Sequence, residues 1–396
     1  MNVNKAYKFR IYPKREQREH LQRHFGHCRF VYNHFLFLRK NTWQEEKRSV
    51  SGFGCKRLLS EMKKEDYEWL KEVNSQSLQE SCMNLEKGFQ RFFKGLGRYP
   101  RFHKKGERQS FIVPQHFYID EENGYIKIPK FSDPIMCLFH RKMGDIKKIN
   151  HLIISKTSTG KYFVSINVDA EIIVTGMPKR EGVGIDLGVQ DFLVTHDGEK
   201  VEAPRNLRKS LRKLKRKQRG LSKRVKGSKN RAKAREVVAK EHERVRHKRN
   251  DFLHKLSRRL VDENQVIYIE DLGVKGMMRN RHLSLSIGDA GWGEFARQLK
   301  YKAEWCGGRI VEIGRFSPSS KLCSSCGKKN EGLKLSQRDW ICPHCHVEHD
   351  RDVNAARNIF YIGQGMPQST PVEKRTAVFS YLRRQVASKK QESRAS

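Results

Sequence analysis

Apolar and polar residues alternate from Tyr7 to Tyr12 and the run is halted by Pro13, which predicts a short strand near the amino terminus. Over residues 16–39 the period changes, with Leu21, Phe25, Cys28, Val31, Phe35 and Leu38 at helical spacing. Leu78, Cys82, Leu85, Phe89 and Phe92 or Phe93 predict another helix over 78–93. Both turn apolar residues inward and Arg or Lys outward, as in a helical lobe, where core packing accounts for the scattered Cys28, Cys55 and Cys82. Residues 117–128 read as a hairpin, because Asn123-Gly124 favours a type I′ turn. Leu152, Ile153 and Ile154 and the run from Tyr162 to Ile166 flank a further turn at Ser158-Thr159-Gly160. Residues 117–170 are therefore expected to be antiparallel β, a small barrel that takes in the first strand, with Met177-Pro178-Lys179-Arg180 as the linker out of it.

A different pattern begins at Val183-Gly184-Ile185-Asp186-Leu187-Gly188, a short apolar strand carrying one Asp, followed by a second strand at Phe192-Leu193-Val194. Residues 204–250 hold 21 Lys and Arg against three Glu. Leu207, Leu211, Leu214, Leu221 and Val225 recur there at helical spacing, which predicts a pair of basic helices broken near Gly227-Ser228. Phe252, Leu256 and Leu260 continue a helix up to a buried strand, Val266-Ile267-Tyr268-Ile269, which delivers Glu270 and Asp271. Trp292, Phe295, Leu299 and Ala303 form one face of another helix, residues 309–313 the next strand, and Val353 opens a final helix. From about Gln364 the composition is polar and basic, as in a disordered tail.

Charge changes the picture most. With 82 Lys and Arg against 44 Asp and Glu, the 396-residue chain carries a formal +38. A surplus of that size repels itself unless a polyanion neutralises it, and nucleic acid, held through its phosphates, is the natural partner. Residues 91–108 interleave basic residues with Phe and Tyr, which suits phosphate pairing and base stacking. Candidate contacts are Lys8, Arg10 and Tyr12 on the first strand, Arg91, Lys94, Arg98, Arg101 and Lys104 in the aromatic stretch, and Arg208, Arg212, Lys215, Arg219, Arg224 and Lys229 in the basic helices. No run approaches a membrane-spanning length and the opening residues have no apolar signal core, so a cytoplasmic protein without a membrane partner is expected.

Two constellations carry chemistry. Cys323 and Cys326, then Cys342 and Cys345, form C-x2-C pairs with 15 residues between them, the spacing of a four-thiolate zinc ribbon. His344, His346 and His349 lie close enough to substitute as ligands. The second is a set of carboxylates at strand ends and a helix start: Asp186, Glu270 with Asp271 as its competitor, and one Asp of Asp350-Arg351-Asp352. In an RNase H-like sheet the first and fourth strands are neighbours and the last helix packs beside them. Such a site binds two Mg²⁺ ions, which demand oxygen ligands.

GIDLG at 184–188, YIEDL at 268–272, SPSSKLCSSCG at 317–327 and DRDVNAARNI at 350–359, in that order, resemble the TnpB (OrfB) family of insertion-sequence proteins, compact relatives of the RuvC-containing type V CRISPR effectors. The opening AYKFRIYPKREQREHLQRHFGHCRFVYN is similar to that family's amino terminus. The resemblance implies a multidomain α+β fold: a wedge β-barrel (1–15 and 115–178), a helical recognition lobe (16–114), an RNase H-like RuvC α/β nuclease domain (179–320 and 347–370), a zinc-ribbon target-binding insert (321–346) and a disordered basic tail (371–396). It implies an RNA-guided DNA endonuclease with Asp186, Glu270 and Asp352 as catalytic acids and Mg²⁺ ligands. Asp352 is chosen because the family's acid stands two residues before the Asn of Asn-Ala-Ala. Cys323, Cys326, Cys342 and Cys345 would hold one Zn²⁺. The implied partners are a guide RNA from the element's own end, double-stranded target DNA and the RNA–DNA heteroduplex, with no small-molecule substrate. A DNA transposase and a non-cleaving RNA-guided repressor are the competing readings, and the intact acids count against the second.

Overall fold

A computed structural model of the chain describes residues 2–106, 109–172, 180–315, 317, 319–334 and 337–365, which divide into two compact units at residue 173. Residues 177–179 of the expected linker and the expected disordered tail over 371–396 lie outside the described residues.

The first unit opens with β1 (Asn2–Tyr12), longer than its alternation predicts because it pairs with a later strand along its whole length. Three helices follow, α1 (Arg15–Glu46), α2 (Gly52–Met62) and α3 (Ser75–Phe93), with a 3₁₀ turn at Glu68–Glu72. Gln17 accepts the Lys14 N–H at 2.9 Å to start α1, Ser51 caps α2 and Asn74 caps α3. The half-buried Glu86 carboxylate on α3 holds all three helices together: it pairs with buried Arg39 of α1 at 2.8 Å and accepts the Gly52 N–H of α2 at 3.0 Å.

The strands are β2 (Gln109–Val113), β3 (Tyr118–Asp120), β4 (Tyr125–Lys127), β5 (Ile135–Leu138), β6 (Ile146–Lys156) and β7 (Tyr162–Glu171). With β1 they form one antiparallel sheet in the order β2-β6-β7-β1-β5-β4-β3. Its edge strands, β2 and β3, do not pair with each other among the described residues, where a barrel was expected. The hairpin at Asn123-Gly124 differs from a type I′ turn, since of these two only Gly124 (φ 74°) has a positive φ. Asp120 accounts for the difference: its carboxylate accepts the backbone N–H and the side-chain amide of Asn123, both at 2.9 Å, and holds a longer loop.

The second unit is built on β8 (Arg180–Asp186), β9 (Asp191–Thr195), β10 (Lys200–Glu202), β11 (Asn264–Glu270) and β12 (Arg309–Ile313), in the order β10-β9-β8-β11-β12. β8, β11 and β12 run parallel, and the first and fourth strands of the unit are neighbours, as expected. Between them in sequence come α4 (Asn206–Ser222), α5 (Lys229–Glu263), α6 (Val274–Met277), α7 (Ser284–Ala290) and α8 (Trp292–Trp305). Leu253, Leu256 and Leu260 of α5 and Phe295 and Leu299 of α8 share one core with Val183, Ile185, Ile267 and Ile269 of the sheet. α4 and α5 are the expected pair of basic helices. Buried Glu241 of α5 joins them by pairing with Lys217 at 2.6 Å and Lys213 at 3.4 Å.

Two short strands, β13 (Asp339–Ile341) and β14 (Glu348–Asp350), form a hairpin that runs directly into α9 (Arg351–Gly363). α9 lies against β8, and the approach leaves no room for a side chain: a Cβ on Gly184 would meet Phe360 Cβ at 2.5 Å and the Ala356 carbonyl at 2.6 Å. Among the described residues no helix is long and apolar enough to cross a membrane. Gly184→Ala is therefore expected to lower stability by about 1–3 kcal/mol, as overpacking does in a tight core. Thermal or urea unfolding reads this out, and an unchanged midpoint would mean that the α9 contact is looser than described.

Candidate active site

The carboxylates are brought to one end of the parallel strands by register. Ile185 lies opposite Ile269, so the next residues, Asp186 and Glu270, leave adjacent strands side by side. Both are half-buried. Burial, and then the negative charges of Asp352 and Glu270, push the Asp186 carboxyl up to about 7, against the opposing pull of Arg351. Burial and the neighbouring Asp271 raise Glu270 as well. Asp352 reaches the same region from the first turn of α9, where its carboxylate pairs with Arg338 and with Arg351.

The open choices at the sequence level differ sharply in their surroundings. Asp350 is the N-cap of α9: its Oδ1 accepts the N–H groups of Asp352 (3.0 Å) and Val353 (2.9 Å), and its Oδ2 pairs with Lys200 at 2.6 Å. Burial pushes the Asp350 carboxyl up, but Lys200 and the cap N–H groups outweigh it and hold it below its ordinary value. Asp271 is exposed and bound to Arg315 at 2.8 Å. For Asp186 and Glu270, by contrast, burial is the main influence and raises both carboxyls, and neighbouring negative charges add to it: Asp352 and Glu270 at Asp186, Asp271 at Glu270.

The four cysteines converge. Sγ atoms of Cys323, Cys326, Cys342 and Cys345 all lie within 4.8 Å of one another, the only group of three or more metal-ligating side chains so gathered among the described residues. The two knuckles are built alike. Gly327 (φ 73°) donates its N–H to Cys323 O at 2.9 Å, and His346 (φ 57°) donates its N–H to Cys342 O at 3.0 Å. His346 thus fills the left-handed position that glycine fills in the first knuckle, and His344 is exposed. His349 is buried, and its Nε2 sits 3.0 Å from Cys323 Sγ, the place of an outer-shell partner to a thiolate. Leu333 and Trp340 close a small core around the sulfurs.

Several residues that hold this site together were not singled out from the sequence. Asn354 grips the chain on both sides of Cys323: its Oδ1 accepts the Ser324 N–H at 2.8 Å and its Nδ2 donates to Leu322 O at 2.7 Å. One turn on, Asn358 Nδ2 donates to Ser319 O (2.8 Å) and Leu322 O (2.6 Å). Both asparagines are 1% exposed, so the i, i+4 pair fixes the first knuckle to the helix that carries Asp352. The readable signal was two Asn on an otherwise apolar helix face. Arg338 gave none, because its partner lies across a hairpin.

Of the candidate nucleic-acid residues, Lys8, Tyr12, Arg91, Lys94, Arg98, Arg101 and Lys104 in the first unit and Arg208, Arg212, Lys215, Arg219, Arg224 and Lys229 in the second are exposed, and Arg10 is half-buried. Arg208, Arg212, Lys215 and Arg219 share one face of α4, opposite the buried Leu214. The aromatic stretch is anchored at His103, which stacks on Tyr32 at 4.0 Å and exchanges two hydrogen bonds with Asn33.

The raised Asp186 carboxyl fixes the sign of a pH effect. Below about 4 both folded and unfolded chains hold its proton. Between there and about 7 only the folded, metal-free chain does, so this contribution to stability is lost as pH rises through about 7. In EDTA, Asp186→Asn should flatten the fall in melting temperature across this window and leave the variant more stable than wild type at pH 8. Parallel melting curves for the two proteins would contradict the crowding.

Comparison with known proteins agrees with this architecture. Residues 165–281 match the family model described as "Probable transposase", and residues 292–359 match "Cas12f1-like, TNB domain". Residues 1–48 match "Helix-turn-helix domain", although β1 and the single long helix α1 occupy them here. A Streptomyces pristinaespiralis protein named "Putative RNA-guided DNA endonuclease" is 38% identical over 91% of this chain and 90% of its own length. An Escherichia coli K12 protein named "Putative RNA-guided DNA endonuclease InsQ" is 31% identical over 91% of this chain and 92% of its own length. The fold is similar to that of the protein in a Cas12f1–sgRNA–target DNA complex, with a TM-score of 0.53 at 13% identity over 90% of this chain and 98% of the other. With full-length relatives at this identity, the chain belongs to the TnpB (OrfB) family.

Proposed function

We propose that this chain is an RNA-guided DNA endonuclease of a transposable element. It binds a guide RNA derived from the element's end and cuts complementary DNA beside a short target-adjacent motif. The observation that carries this reading is the juxtaposition of Asp186 and Glu270 at the ends of adjacent parallel strands, with the Asp352 charge acting on Asp186, in a chain of net charge +38. The names of the full-length relatives support it, as does a fold shared with a protein solved on guide RNA and target DNA. Delegating sequence reading to base pairing leaves the protein to hold an A-form heteroduplex by its backbone, which needs a broad basic surface.

In this reading residues 1–15 and 115–178 act as the wedge, 16–114 as the recognition lobe, 179–320 and 347–370 as the RuvC nuclease, and 321–346 as the target-binding insert. Asp352 is the third acid, since its charge acts on Asp186 and it stands two residues before Asn354, whereas Asp350 caps α9 and pairs with Lys200. Glu270 outranks Asp271, which Arg315 occupies.

Three neighbouring carboxylates, one of them pushed up to about 7 chiefly by burial, make a hard-oxygen donor set suited to two Mg²⁺ ions. When bound, the ions supply positive charge at the attacking water and at the leaving 3′ oxygen. The chain's own part is to release the Asp186 proton, to keep α9 capped through Asp350 and to withdraw Arg338 from Asp352. The quartet fits one Zn²⁺ through four thiolates, with His349 donating to Cys323 from outside the ligand set.

Purified protein is expected to carry bound RNA and to cut matching DNA in Mg²⁺. Asp186→Ala and Asp352→Asn should abolish cutting and retain RNA. A wild-type protein that joins transposon ends without RNA would overturn the reading, and full activity in Asp352→Asn would move the third acid. Metal analysis should return one zinc per chain, with Cys323→Ser losing both metal and the protease resistance of residues 321–346; zinc near zero in anaerobically purified wild type counts against the site.

A further inference from the structure

Arg338, the partner of Asp352, lines a cavity of about 370 Å³ that the chemistry above leaves unused. Its apolar wall comes from Val189 in the β8–β9 loop, Ala203 after β10 and Leu285 on α7, and Arg205, Arg208 and Arg338 stand around it. Arg338 links it to the acids, because the same guanidinium pairs with Asp352. Asp289 also lines the cavity, yet its two oxygens accept the N–H groups of Leu207 (2.8 Å) and Arg208 (3.1 Å) at the start of α4. That cap takes up the acid and closes the helix terminus, so an anion here meets guanidinium groups. Arg205 holds a left-handed backbone (φ 47°, ψ 43°) at this spot, a conformation that costs a non-glycine residue on the order of 1 kcal/mol.

An apolar wall with a guanidinium rim is the chemistry that recognises a nucleoside within a strand. The base buries its faces against Val189 and Leu285, and the phosphates on either side pair with the arginines. The volume is at the small end of ligand sites, about 300–1,000 Å³, which suits one nucleotide unit. We propose that this cavity receives a single unstacked nucleoside of the DNA strand whose phosphodiester lies on Asp186, Glu270 and Asp352. The subsite rests on the nuclease reading above and adds a register to it, one base held at a fixed step from the bond that is cut. A phosphate seated at the rim also competes with Asp352 for Arg338, so loading the strand frees one oxygen of the third carboxylate and leaves the other with Arg351.

The test uses the full-length protein with its RNA in Mg²⁺ and a series of target DNAs, each with one abasic position stepped through the cut region. Cutting should slow about tenfold at a single register, the scale of one lost base contact, and stay near the wild-type rate at the others. Ser286→Trp, which fills the cavity from α7, should slow cutting of unmodified DNA by a similar factor and erase the register dependence. Val189→Trp, from an exposed loop position, should do the same if the α7 variant folds poorly. Guided DNA binding should be unchanged in both. Normal cutting with a flat abasic scan would overturn the subsite and leave the nuclease standing; no cutting by wild type would sink both.

Discussion

The close contact between α9 and β8 at Gly184 is the constraint on which the second unit depends. Backbone meets helix there with no space for even a methyl group, and the contact continues through Phe360 stacked on His196 at 4.0 Å and Gly363 beneath Tyr268. Because an α-helix is stiff, seating its middle and end on the sheet also fixes its first turn. That first turn carries Asp352, so a glycine in a strand decides where an acid more than 160 residues later stands. The same helix presents Asn354 and Asn358 to the first cysteine knuckle. Sheet, acid and metal-binding insert are thus registered by one element.

Electrostatics gives that registration its purpose. The chain is overwhelmingly basic, and one of the few places where carboxylates face each other is the end of β8 and β11. Burying Asp186 beside two more acids is unfavourable without a countercharge. Arg351 and Arg338 supply part of it in the chain as it stands. A divalent cation would supply more, at the cost of displacing Arg338. In the proposed reading the acidic centre and the basic surfaces would divide the labour, the surfaces neutralising phosphate along a strand and the centre drawing cations to one phosphodiester.

Much of this was legible from local period. The strands ending in Asp186 and Glu270 are uninterrupted apolar runs, α1 and α3 keep a clean helical repeat, and the cysteine spacing needs no tertiary knowledge. What escaped depends on contacts between distant residues. α2 is short and has two glycines in its first turn, so its sequence is weakly helical and its stability comes from the Ser51 cap and from Glu86 accepting the Gly52 N–H. Asn123-Gly124 misled because Asp120 binds Asn123 first. Asp350 and Asp352 look alike in sequence and differ only through Lys200, the α9 cap and Arg338.

The insert's attachment limits how the site can open. β13 and β14 pair Asp339 with Asp350, the Arg351 N–H donates to Arg338 O at 2.7 Å, and β14 passes into α9 without an intervening loop. The asparagine pair adds buried hydrogen bonds at the other, first knuckle. Swinging the whole insert away would break these together and carry Asp352 out of line with Asp186 and Glu270. The Arg338 side chain, by contrast, is 44% exposed and is held to the acid by a single ion pair that a phosphate can replace. Arg351 lies on α9 itself and moves with Asp352, so in the proposed reading the group free to turn away is the Arg338 guanidinium, and a strand that brings its own phosphate would supply the partner that turns it.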